Sequence, residues 1–133
     1  MSADANVTLV KQLYDSMSKG DLNAVLELMT DDVEFVVPGP AEIGAAGTWR
    51  GPSGVRDCFA RLREAQQNES IDIREFVAQG NHVVVLLHVV ARARATGRSF
   101  ESDIVHFFTF RNGHIRRLLD FFDTAALVEA NRV

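Results

Sequence analysis

The sequence predicts an α+β domain, and three observations carry that reading. Apolar residues recur at helical spacing over residues 7–19, over 21–29, and again from Pro52 to about Gln67. After Ser70 the composition turns β-branched and aromatic. Turn pairs then punctuate it at Gly80-Asn81, Gly97-Arg98 and Asn112-Gly113. Helices gathered first and strands last mark α+β rather than alternating α/β.

The chain has 133 residues, which suits a single domain over 1–133. Hydrophobic residues make up 47% and charged residues 24%, the balance of a globular chain with a real core. A net charge of −4 gives no basic face for phosphates, so no nucleic-acid partner is expected. The longest apolar run, residues 83–91, is broken by His88 and is too short to span a bilayer, so no membrane role is expected. The opening MSADANV shows neither a basic nor an apolar leader region, which makes the cytoplasm the default expectation. Cys58 is the only cysteine, so no intrachain disulfide can form. The four histidines are scattered singly, without ligand spacing, and neither a metal nor another cofactor is expected.

In the first helix Val7, Val10, Leu13, Tyr14 and Met17 share a face, and Gly20 ends it. Asp21 caps the second helix, whose inward residues are Leu22, Val25, Leu26 and Met29. Residues 30–32 read as a break before a strand over 33–37. The segment 38–47, PGPAEIGAAG, reads as a loop over a pocket mouth, and 48–51 as a short edge strand. Ser53 reads as the cap of a third helix with Val55, Cys58, Phe59 and Leu62 inward. Strands follow over 70–78 and 82–96, then a hairpin over 99–123, and Asp123 caps a closing helix over 124–131.

The hairpin reads SFESDIVHFFTF, RNG, HIRRLLDFFD, with one ionisable residue among apolar neighbours on each strand, His106 and Asp120. Its turn decides whether they share a face. A two-residue turn at Asn112-Gly113 in a regular ladder sets His106 opposite Leu119 and sends Asp120 to the other side. A three-residue loop over Arg111-Asn112-Gly113, with a glycine bulge, makes Asp120 a diagonal neighbour of His106. The three-residue loop is the expectation, because it groups Ile104, Phe108, Phe110, Leu118 and Phe122 with the two polar residues.

Several stretches together resemble the SnoaL-like, nuclear transport factor 2-like superfamily, which includes ketosteroid isomerase and limonene-epoxide hydrolase. They are SKGDLNAVLELMTDDVEF, VPGPAEIGAAGTWRGPSGV, ATGRSFES and HFFTFRNGHIRRLLDFFDTAA, and they cover nearly the whole chain in order. The resemblance implies a cone-shaped, cystatin-like domain. In it a strongly bent antiparallel sheet wraps around the three N-terminal-half helices and encloses an apolar pocket, commonly in a homodimer. It also implies polyketide cyclase-like or isomerase-like chemistry, with departures. Tyr14 falls at the tyrosine position of ketosteroid isomerase, His106 falls at its protonated-aspartate position, and Val37 falls at its base position, so steroid isomerisation by that mechanism is not expected. The hydrolase arrangement of carboxylates flanking an arginine is also missing, since no aspartate lies two residues from Arg92 or Arg94.

Asp120 as general base, His106 as acid or electrophile and Tyr14 as phenol donor would suit proton abstraction beside a carbonyl. Trp49, Phe108, Leu118, Phe122, Phe59 and Phe35 are the expected walls for a small apolar ligand. Against this stands a plain alternative, in which the His–Asp pair is a satisfied buried hydrogen bond, Tyr14 is core with a tethered hydroxyl, and the domain only binds a ligand or dimerises. Glu42 is the only acid near the mouth that could replace the missing base. The opposite sheet face, carrying Val105, Phe107, Thr109, Ile115, Leu119 and Phe121 with Leu86 and Val90, is too apolar to stay wet, so a homodimer through it is expected.

Overall fold

A computed structural model describes residues 2–133. Helix α1, Ala3–Ser18, begins earlier than its apolar spacing suggests because Ser2 accepts from the Ala5 amide at 3.1 Å and caps it. It buries Asn6, Val10 and Leu13. Gly20, at φ +70°, turns the chain, and Asp21 caps α2, Leu22–Glu27, through the Ala24 amide at 3.1 Å. Strand β1, Met29–Val37, and β2, Gly47–Arg50, flank the irregular loop. Then come α3, Gly51–Ala65; β3, Gln66–Gln79; β4, His82–Ala93; β5, Ser99–Arg111; β6, His114–Phe121; and α4, Thr124–Asn131.

Several local expectations change. Residues 30–32 are strand, not a break: Asp32 pairs with the Arg111 guanidinium at 2.6 Å, so the polar run has a partner. Ser53 does not cap α3, which starts at Gly51 with Pro52 in its first turn and no side-chain cap. β3 follows α3 with no intervening loop.

The strands form one open six-stranded sheet in the order β2-β1-β6-β5-β4-β3. It is mixed rather than wholly antiparallel, because β1 runs parallel to β6. The four hairpin-linked or adjacent pairings are antiparallel. β1 and β6 are far apart in sequence, so no turn dictates their sense, and β1 lies along the last strand wherever its apolar residues can reach the core. Alternation along β4 buries Val83, Val85, Leu87, Val89 and Ala91 on the inner face. Against that face pack α1, on β3 and β4, and α3, on β1. Val10, Leu13, Val25, Val33, Phe35, Val55, Cys58, Phe108 and Ile115 complete one continuous core.

Candidate active site on the inner sheet face

The hairpin turn is the two-residue form, yet His106 and Asp120 share a face. Arg111 pairs with His114, and both turn residues adopt positive φ, Asn112 at 51° and Gly113 at 77°, as a type I′ turn requires. The expected three-residue loop is therefore wrong. The register is corrected two residues further on, where Phe110 pairs with Ile115 but Thr109 pairs with Arg117. Arg116 is the extra residue of a β-bulge, and its guanidinium reaches Glu34 at 3.1 Å. From there Phe108 faces Leu118 and His106 faces Asp120 directly rather than diagonally. The two-residue turn also sets Ile115 opposite the inward Phe110, where it is fully buried, so it does not belong to the outer face as expected.

Three side chains then meet. The Tyr14 hydroxyl lies 2.7 Å from His106 Nδ1, and the two rings stack at 5.9 Å between centroids. His106 Nε2 lies 3.3 Å from Asp120 Oδ1, with 13% of each side chain exposed. The distance suits an ion pair, but the ring N–H is not aimed at that oxygen, which accepts no hydrogen bond from the described residues. When the phenol donates to Nδ1, neutral His106 carries its proton on Nε2, beside the carboxylate. Phe108 sets its ring edge-on to both, 6.3 Å from Tyr14 and 6.0 Å from His106. Burial, and then the nearby Asp120 charge, hold the Tyr14 phenol well above its ordinary range, so it stays protonated and able to donate. Val85 stands on the other side of His106 and is fully buried.

Sequence reasoning missed one neighbour. Cys58 on α3 is fully buried, and burial followed by the Asp120 charge pushes its thiol up to about 12. Its place on the apolar face of α3 was legible; its nearness to Asp120 was not. Further along β5 the Ser102 hydroxyl accepts from the Asp123 amide at 2.8 Å and ties the strand to the start of α4.

The expected wall residues divide. Phe35, Phe108 and Leu118 are 3%, 0% and 3% exposed and packed within the core. Phe59 meets Phe35 edge-on at 5.7 Å. Trp49 sits opposite Phe35 on β2, and its indole N–H donates to the Ala45 carbonyl at 2.8 Å. Phe122 packs half-buried against the core. Val37, at the position of the absent base, is buried. A cleft of about 180 Å³ opens between the 38–46 loop, α3 and α4, floored by Ile43, Ala45, Leu62 and Leu127, with Glu42 and Arg132 among its polar lining. Tyr14, His106 and Asp120 do not line it. Leu62 lies one helical turn beyond Cys58, so α3 contributes both to the core at Cys58 and to the cleft at Leu62. No group of three or more metal-ligating side chains occurs among the described residues, and no helix there is long and apolar enough to cross a membrane.

The open mixed sheet with helices on one face is the nuclear transport factor 2-like fold of its solved relatives. Within it, the chain belongs to the SnoaL-like domain family, whose model matches residues 10–118. An uncharacterized protein of Mycobacterium tuberculosis is 27% identical over 130 residues, 98% of each chain. A crystal structure of an NTF2-like protein from Burkholderia xenovorans superposes with a TM-score of 0.88 at 32% identity, covering 99% of both chains. TerC, co-crystallized with polyporic acid, superposes with a TM-score of 0.84 at 30% identity, covering 96% of this chain and 98% of its own.

Proposed function

We propose that this SnoaL-like domain binds a small apolar, carbonyl-containing ligand and moves a proton on it without a cofactor, as an isomerase, cyclase or lyase. One observation carries the reading: Tyr14, His106 and Asp120 form a contiguous polar chain on an otherwise apolar sheet face. Asp120 takes the proton from carbon beside the carbonyl. His106 stands next to the carboxylate as the acid or electrophile, and Tyr14 holds the imidazole in register. The similarity to TerC, which was crystallized with polyporic acid, supports a small-molecule ligand.

The test needs no knowledge of the natural substrate. Exchange of the α-protons of 2-tetralone in D2O can be followed by proton NMR with the wild type and with Asp120→Asn. The wild type should accelerate exchange over buffer, and the variant should lose at least about a hundredfold of that acceleration, the usual contribution of a positioned base. Exchange no faster than buffer with the wild type would sink the catalytic reading.

A second reading, a non-catalytic ligand-binding or dimerisation domain, is favoured by the packing of Phe35, Phe108 and Leu118 into the core rather than around open space. Either reading is compatible with a homodimer through the outer sheet face, where Phe107, Leu119 and Phe121 stand together.

A further inference from the structure

We infer that two copies of this chain stack outer face on outer face about a two-fold axis that crosses the strands, so that the hairpin end of each copy covers the acidic end of the other. The inference rests on the homodimer reading above and adds its geometry. Strand register lays the outer face out in rows. Two adjacent rows are apolar: Val77, Val84, Phe107 and Leu119, then Leu86, Val105 and Phe121, with Glu75 at the edge of the second. Beyond the second row lie Asp72, His88 and Asp103, followed by Glu101 opposite Val90. Beyond the first row lie His82, Thr109 and Arg117, with Glu34 and Arg50 on the next two strands.

The two ends carry opposite charge. At the hairpin end Arg50, Arg111, Arg116 and Arg117 outnumber Asp31, Asp32 and Glu34. Glu34 is already shared by Arg50 and Arg116, and the exposed Arg117 has no ion-pair partner among the described residues. At the other end Glu69, Asp72, Glu101 and Asp103 outnumber Arg74 and Arg92, and even a charged His88 leaves a carboxylate in excess. Glu101 and Asp103 are 69% and 66% exposed. Asp103 and the Thr109–Arg117 level are six residues apart along β5, about 20 Å. That exceeds the screening length of about 10 Å in 0.1 M salt, so the ends act as separate patches. A closed pair of identical faces requires a two-fold axis lying between them. Aligned sheet packing leaves that axis two directions, along the strands or across them. Along the strands, each row would meet its own copy, Asp103 near Asp103 and Arg117 near Arg117, like charge on like. Across the strands the rows invert: Arg117 comes over the Asp103–Glu101 end of the other copy, and the Phe107 row settles on the Phe121 row. Both arrangements bury the same two apolar rows, so charge decides between them.

The experiment is sedimentation equilibrium of the whole chain in low salt, comparing the wild type, Asp103→Arg, Arg117→Glu, both changes in one chain, and an equimolar mixture of the two single variants. Each single reversal should weaken the dimer about tenfold or more, because like charges then meet at two symmetric places. The double variant and the mixture should both return to within about threefold of the wild type, since every arginine again faces an acid. In 1 M salt, where screening acts over about 3 Å, these differences should vanish. Glu101→Arg repeats the acidic arm if circular dichroism shows that Asp103→Arg does not fold. A dimer tightened by Asp103→Arg, or one that neither reversal changes in low salt, would overturn the inference and leave the homodimer intact. A wild type that stays monomeric at micromolar concentration removes the homodimer reading and the inference with it.

Discussion

Tyr14 is the only tyrosine in the chain, so its ionisation can be read directly in the ultraviolet. Burial and the Asp120 charge hold its phenol above its ordinary range. Phenolate absorbance should therefore be absent from the folded protein as the pH passes about 10, the ordinary value for tyrosine, and should appear on unfolding. The sign for stability follows. Above the ordinary value the unfolded chain releases a proton that the folded chain keeps, so the contribution of this group falls as pH rises. A folded protein that ionises normally near pH 10 would remove the close Tyr14–His106–Asp120 grouping. Helical spacing placed Tyr14 beside Val10 and Leu13; its 2.7 Å bond to His106 was out of reach, because nothing local says how α1 crosses the sheet. Single-residue expectations failed where a polar side chain had a distant partner, as at Asp32, or where backbone geometry outranked a good capping residue, as at Ser53.

At the scale of elements, the β5–β6 hairpin shows how two local features combine. Asn112-Gly113 makes the tight turn that its dipeptide favours, and Arg116 then inserts a bulge that resets the register. The conclusion that His106 and Asp120 share a face stands, but the three-residue loop expected to produce it does not form. No turn dipeptide announces a bulge inside HIRRLLD; the apolar requirement at Ile115 and Leu118, both buried, makes it favourable. Because Gly113 has φ +77°, Gly113→Ala should lower stability by about 1 kcal/mol in urea unfolding, with the His106–Asp120 pairing retained. An unchanged midpoint would argue against the type I′ turn.

At the scale of the molecule, the sheet has one face covered by helices and one bare. On the bare face Val77 and Phe121 are 54% and 48% exposed, beside the half-buried Phe107 and Leu119. His88 lies on the same face, held above its ordinary value mainly by its hydrogen bond to Asp103 at 2.8 Å, with Glu101 adding to it. The proposed homodimer predicts a sedimentation mass twice that of the chain. Leu119→Arg should convert it to a folded monomer, because a desolvated guanidinium without a partner opposes that interface. A monomeric wild type at micromolar concentration would remove the proposal.

The sequence by itself determined the class of fold, the order of nearly all its elements, the covered and bare faces of β4 and β5, and the identity of the polar residues on the inner face. These follow from local periodicity, capping and turn chemistry, which act over a few residues. Only the tertiary structure decided that β1 runs parallel to β6 and that a bulge brings Asp120 opposite His106. It alone set Tyr14 against the far side of that imidazole and left one carboxylate oxygen without a donor among the described residues. Those outcomes depend on packing between segments as many as 92 residues apart, and packing of that kind leaves no periodic trace in the chain.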